Sequence, residues 1–131
     1  MSEQLRLGPL EMAVMRHLWP DGSASVKAVH RVLGKRRGIT LNTVQSAMDR
    51  LYKKHLLRRE KVSHAYIYAP NVSRAELGTR MLEQAFSQLA GEPSALISAV
   101  VEFADREGDD ALAELEALVA ERRRQKQGSG E

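Results

Sequence analysis

Between residues 41 and 69 the hydrophobic period of the chain changes once, and that change restricts the folds open to it. Leu41, Val44, Met48 and Leu51 recur at helical spacing. Beyond Lys54 the pattern becomes strand-like, Leu57–Val62 and then Ala65–Ala69, with the polar pair Ser63-His64 between the two runs and Pro70 after them. A helix capped by Thr40 therefore leads straight into a two-stranded hairpin.

Upstream, Pro9 opens a first helix with Leu10, Ala13, Val14, His17 and Leu18 on one face, and Pro20-Asp21-Gly22 ends it. Trp19 falls in the core at the end of that helix. Ser25 caps a second, short helix with Val26, Val29, Val32 and Leu33 inward, and "GKRRG" (34–38) breaks it. Three helices followed by a hairpin, with a short turn before the third helix, is the outline of a winged helix-turn-helix.

Downstream, Ser73-Arg74-Ala75-Glu76 is a capping box that starts a helix with Leu77, Met81, Leu82, Ala85 and Leu89 inward. Gly91 and Pro93 stop it, and Ser94 starts another helix bearing Leu96, Ile97, Val100, Val101 and Ala104. After Gly108-Asp109-Asp110 a last helix carries Leu112, Leu115, Leu118 and Val119. The expected fold class is mainly α. Residues 1–72 form the winged-helix domain with its small hairpin wing, 73–121 a three-helix dimerisation region, and 122–131 ("RRRQKQGSGE" with its preceding residues ending the helix) a disordered tail.

The last three helices are too short to bury much alone, yet their apolar positions exceed one stripe per helix. A second copy of the chain is the simplest cover, with Leu77, Met81, Leu96, Ile97, Val100, Val101, Phe103, Leu112, Leu115, Leu118 and Val119 at a symmetric homodimer interface; the alternative is that these helices pack back onto the first module.

Charge divides the chain. Residues 1–70 hold thirteen Lys and Arg against five Asp and Glu, a balance of +8, while 71–131 hold seven against twelve, −5. The basic half is where a polyanion would bind. Within it the outward face of the third helix is almost uncharged: Asn42, Thr43, Gln45 and Ser46 offer short hydrogen-bonding groups near the helix N-terminus. Asn and Gln can pair in bidentate fashion with adenine, and Thr and Ser are more permissive. A face built for solubility alone would carry Glu and Lys. Cations flank these base-reading candidates, and Thr40, Lys35, Arg36, Arg37, Arg50, Lys53, Lys54, Arg58 and Lys61 are the candidates for contacts to DNA phosphates. Arg50 could equally serve an internal ion pair. Side chains alternate along a strand, so Arg58 and Arg59 cannot face the same groove.

Other chemistry is sparse. The chain has no cysteine, and His17, His30, His55 and His64 share no metal-ligand spacing, so no metal or cofactor is expected. No glycine-rich phosphate loop, nucleophile elbow or acid–base pair suggests an enzyme. Neither a signal peptide nor a membrane-spanning run is legible, so a cytoplasmic location without membrane insertion is expected. Two alternatives share the scaffold: a protein-interaction module without DNA specificity, and an RNA-binding winged helix. The basic half argues against the first. The second would need exposed stacking aromatics, for which Tyr66 and Tyr68 are the candidates, although packing roles suit Tyr52, Tyr66 and Tyr68 better.

"LGPLEMAVMRHLW", "SASVKAVHRVL", "TLNTVQSAMDRLYKKHLL" and "AYIYAP" occur in that order. In this the chain resembles the penicillinase-repressor family (BlaI/MecI type) over nearly all of residues 7–105. The resemblance implies a dimeric winged-helix repressor on an inverted-repeat operator, dimerised through its C-terminal helices. It also implies relief by a membrane sensor protease that cuts an Asn-Phe bond in those helices. The matching pair here is Glu102-Phe103, which keeps the phenylalanine but not the asparagine. Familiar members often carry basic residues where this chain has Asn42 and Gln45. A copper-sensing branch uses a cysteine-rich tail, which this chain lacks.

Overall fold

A computed structural model describes residues 5–89 and 91–129. The chain divides into two compact units, Met1–Gln84 and Ala85–Glu131. In the first unit the order is α1 (Pro9–Asp21), β1 (Ala24–Ser25), α2 (Val26–Val29), a π-helical stretch π1 (His30–Gly34), α3 (Lys35–Arg37), α4 (Leu41–Lys53), β2 (Leu57–Val62) and β3 (Ala65–Pro70), followed by α5 (Arg74–Leu89). β3 lies between β1 and β2 in an antiparallel sheet. This is the winged helix-turn-helix that the sequence leads one to expect, with one addition. The two-residue β1, pairing Ala24 with Tyr68 and Ser25 with Ile67, is too short to show any alternation.

Local chemistry sets the boundaries. Ser25 Oγ accepts the Ala28 N–H at 3.1 Å and Thr40 Oγ1 accepts that of Thr43 at 3.2 Å, each holding an otherwise unpaired helix N-terminus. The second helix does not break at Gly34. It continues through π1 and α3 to Gly38, whose φ of 67° is open to glycine. Gly34 instead serves packing: a Cβ there would lie 2.0 Å from the His30 ring. Lys35, Arg36 and Arg37 are therefore helical rather than part of a turn. Similarly α1 runs past Pro20 to Asp21 and closes at Gly22, with φ 91°.

Val14, Met15, Leu18, Val29, Val44, Met48, Leu51, Leu56 and Leu57 are fully or almost fully buried in one core. Each such side chain contributes about 1.5–3 kcal/mol by leaving water. Met15 joins this core although it lies beside the expected α1 stripe, because α1 is covered on more than one side. Val32, expected inside, is 39% exposed. Trp19 is half-buried, and its indole N–H donates to the Val72 carbonyl at 2.9 Å.

The capping box forms as expected: Ser73 N–H donates to Glu76 Oε1 at 2.7 Å and Glu76 N–H to Ser73 Oγ at 3.0 Å. Leu77, assigned above to a dimer interface, is instead buried in the core of the first unit, one turn after this cap. The compact unit accordingly reaches Gln84, whose side-chain oxygen accepts the Leu5 N–H at 2.8 Å.

In the second unit α6 (Pro93–Glu107) and α7 (Asp109–Ser129) pack together across Gly108. Ala104 is buried, and Leu96, Val100, Leu112 and Leu115 are half-buried. The tail expected to be disordered from residue 122 is helical to Ser129. Arg, Gln and Lys are strong helix formers, and Glu121 supports the turn by accepting from Arg124 and Gln125. Gly130 and Glu131 of that tail lie outside the described residues. No helix among the described residues is long and apolar enough to cross a membrane.

Candidate nucleic-acid interface

The two faces of α4 divide sharply. Val44, Ala47, Met48 and Leu51 are buried, whereas Asn42, Thr43, Gln45 and Ser46 are exposed on the N-terminal half of the helix. The side chains of Asn42, Gln45 and Ser46 make no hydrogen bond to any described residue, which leaves their donors and acceptors open to a partner. Thr43 is less open, because its hydroxyl lies 3.0 Å from that of Thr40 within the cap.

Between α4 and the wing is a concavity of about 430 Å³ lined by Asn42, Gln45, Ser46, Asp49, Arg59 and Tyr66, with Tyr68 at its base in the core. Arg59 organises it. Its guanidinium carbon lies 3.9 Å from the Tyr52 ring centre and 4.1 Å from that of Tyr66. The same group donates to Asp49 Oδ1 and to the Tyr68 hydroxyl, each at 3.3 Å. The Tyr68 hydroxyl, as acceptor, raises the pKa of Arg59 further above its ordinary value. Lys53, 3.1 Å from Asp49, is the main cause of a lowered Asp49 pKa, with Arg59 adding to it against the opposing effect of burial.

Behind α4 lies Glu11, buried on α1. It accepts the Gly8 N–H at 2.9 Å and the Lys54 ammonium at 3.0 Å, with Arg50 Nε 3.5 Å away.

An uncharged, unpaired polar face on the helix after a turn, next to a basic hairpin, is the arrangement of a major-groove reader. Over residues 7–121 the sequence matches the family model described as penicillinase repressor. The chain belongs to the penicillinase-repressor family. It is 38% identical over 125 residues to the transcriptional regulator BlaI of Mycobacterium tuberculosis, covering 89% of this chain and 90% of that one. It is 24% identical over 106 residues to a penicillinase repressor of Staphylococcus aureus, covering 81% and 82% of the two chains. Among solved structures, Lactococcus lactis ZitR aligns with a TM-score of 0.44 and 12% identity over 92% of this chain and 79% of that chain. The Mycobacterium tuberculosis and Staphylococcus aureus proteins are named as a transcriptional regulator and a repressor, and this penicillinase-repressor-family chain is a winged-helix transcriptional regulator rather than an enzyme.

Not every expected phosphate ligand points outward in this family member. Lys54 turns in to Glu11 and the Arg6 carbonyl, so its charge is already matched. Arg50 is half exposed and shares Glu11, the internal pairing that its position left open. Lys53 is exposed but paired with Asp49. Thr40 is spent on its cap. Lys35, Arg36, Arg37 and Lys61 are exposed.

On the wing, Arg58 and Arg59 face opposite ways, as strand alternation requires. Arg58 lies opposite Ala69 and donates to the Pro70 carbonyl, while Arg59 lies opposite Tyr68 and faces α4. The signal was present in the alternation: Leu57 is core, so Arg59 and Lys61 share its face, with Tyr68 and Tyr66 across from them.

Proposed function

We propose that this chain is a homodimeric repressor that binds an inverted-repeat operator with α4 of each protomer in the major groove. The observation that carries the reading is the row Asn42, Gln45 and Ser46, exposed and unpaired on the outward side of a helix whose other side is core. These side chains read base edges, with Thr43 beside them. Lys35, Arg36, Arg37, Lys61 and the outer part of Lys53 supply cations to the flanking phosphates, and repression follows from occluding polymerase in the cytoplasm. Two α4 helices about 34 Å apart, or a multiple of that, would match a two-fold operator.

The second copy is supported by the exposed apolar side chains of the C-terminal helices: Met81, Ile97, Val101, Phe103, Leu118 and Val119, joined by Leu82 and Leu89. Weakening that pairing releases DNA, because the two half-sites lose their mutual effective concentration. A membrane sensor protease acting at Glu102-Phe103 would do this. Both residues are exposed, and Glu102 is held by Arg106 one turn on.

Genome-wide footprinting of the full chain tests the reading, followed by binding of variants to the site found. Gln45→Ala or Asn42→Ala should cost about 1–3 kcal/mol on the specific site and almost nothing on unrelated duplex. Equal weakening on every sequence would remove Gln45 from the reading face, and footprints lacking two-fold symmetry would remove the dimer. Incubation with the sensor protease should yield a fragment ending near residue 102; derepression with the chain intact would exclude the cleavage.

A further inference from the structure

A notch of about 270 Å³ opens beside α1 and α3, away from the α4 concavity. Its lining joins the apolar Val32 and Leu33 to Arg16, Arg36 and Arg37, with His17 alongside. Four other arginines of the first unit have protein partners. Arg50 is near Glu11, Arg59 is on Asp49, Arg58 donates to the Pro70 carbonyl, and Arg74 lies 4.8 Å over the Trp19 ring. Among the described residues none of Arg16, Arg36 and Arg37 has an acidic partner or donates a hydrogen bond to the protein. The nearby Asp21 carboxylate is 3.8 Å from His17.

Three guanidiniums from two separate helical segments thus converge on one recess without a counter-charge. Each carries a planar fork of N–H donors that matches two oxygens of a phosphate, a geometry that a lysine cannot reproduce. Val32, unexpectedly exposed for a valine on the helical stripe, adds an apolar patch to the recess. The volume exceeds what one phosphate needs and leaves room beside Val32 and Leu33 for the body that carries it.

We propose that this notch is a phosphate-binding site in which Arg16, Arg36 and Arg37 together hold one phosphate group. That group belongs either to the backbone of bound duplex or to a free phosphate-bearing small molecule. Only the first source rests on the DNA-binding reading, and the two are separated by experiment.

The full chain is titrated with inorganic phosphate and with pyrophosphate in the absence of DNA, following the arginine Nε–Hε resonances by NMR. In parallel, binding to an unrelated duplex is measured against salt. Three proteins are compared: wild type, the triple variant Arg16→Gln, Arg36→Gln, Arg37→Gln, and the triple variant with Lys at the same positions. Saturable pyrophosphate binding in the absence of DNA that weakens about tenfold or more in both triple variants assigns the site to a free ligand. A slope that falls by about 0.9 per lost contact in the Gln variant, with no saturable anion binding, assigns it to the duplex. The idea is overturned if neither quantity moves in the folded Gln variant. It is equally overturned if the Lys variant matches wild type in both arms, since attraction would then be diffuse charge. The free-anion arm contains no DNA and the duplex arm uses no operator, so failure of the α4 reading leaves both interpretable.

Discussion

Glu11, in the first turn of α1, accepts the ammonium of Lys54 at the end of α4 with Nζ 3.0 Å from Oε2. Because Lys54 also donates to the Arg6 carbonyl and Glu11 also accepts the Gly8 N–H, a partly buried polar clamp fixes the far end of α4 to the start of α1. Burial alone would push the Glu11 carboxyl up. The Gly8 N–H, Lys54 and Arg50 together outweigh it and hold the pKa below its ordinary 4.5. A carboxyl lowered in the folded state contributes stability that is fully present above its unfolded value and is lost as pH falls through the folded one. Glu11→Gln should therefore lower stability by about 2 kcal/mol near neutrality, with the gap from wild type closing below the ordinary value of 4.5. Urea melts at a series of pH values check this. A gap that stays constant into acid would show that packing, not the ion pair, sets the cost.

Arg59 ties the wing to α4 by stacking between Tyr52 and Tyr66 while bonding Asp49. Two of these partners are on α4 and one is on β3, so the wing angle depends on this side chain. Arg59→Met keeps most of the stem but removes the cation and the donors. It should cost about 1 kcal/mol of stability and weaken DNA binding on every sequence. Arg59→Lys should recover less than half of that loss, because an ammonium lacks the planar stack. Denaturant midpoints and fluorescence anisotropy on specific and unrelated duplexes provide both readouts. Affinity equal to wild type in the Met variant would mean the wing holds its angle without Arg59.

How far the sequence could be read depended on how local the governing physics is. The α4 stripe, the Ser25, Thr40 and Ser73 caps and both hairpin strands follow from side chains within four residues of one another, and all were legible. β1 was not, since two residues facing Tyr68 and Ile67 have no period. Lys54 read as a surface cation because its partner Glu11 is more than forty positions away. Leu77 read as interface because one helical stripe does not say which body covers it. At the candidate site, the exposed amides of Asn42 and Gln45 were predictable from helix period, while which of Arg58 and Arg59 faces α4 depended on Leu57 being core.

His55 marks a place where the backbone is strained. Leu56 N–H donates to the Leu51 carbonyl and His55 N–H to that of Tyr52, both at 3.0 Å, ending α4 in a Schellman motif. The motif puts His55 at φ 65°, a left-handed conformation that costs a side-chain-bearing residue about 1–2 kcal/mol. Glycine avoids that cost and loses about 0.5–1 kcal/mol through its greater freedom when unfolded. The difference favours His55→Gly by about 0.5 kcal/mol, while His55→Val should destabilise. Thermal melts of the two variants should move in opposite directions. A fall in Tm for His55→Gly would mean that the imidazole makes a contribution larger than the strain.

Ile97 and Val101 lie one turn apart on α6 and are 62% and 46% exposed. If a second copy covers them, a charge at either position is buried at the dimer contact, and two-fold symmetry places it there twice. Burying an unpaired carboxylate costs several kcal/mol, so Ile97→Asp with Val101→Asp should raise the dimer dissociation constant by at least about 100-fold. Ala104, on the α6 side that packs within the unit, is untouched, and helicity by circular dichroism should be retained. Sedimentation equilibrium reads the oligomeric state. Binding to a full operator should fall toward that of a single half-site, whereas affinity for an isolated half-site should not change, because α4 and the wing belong to a unit with its own core. A folded double variant that stays dimeric at wild-type strength would place the interface elsewhere on the chain.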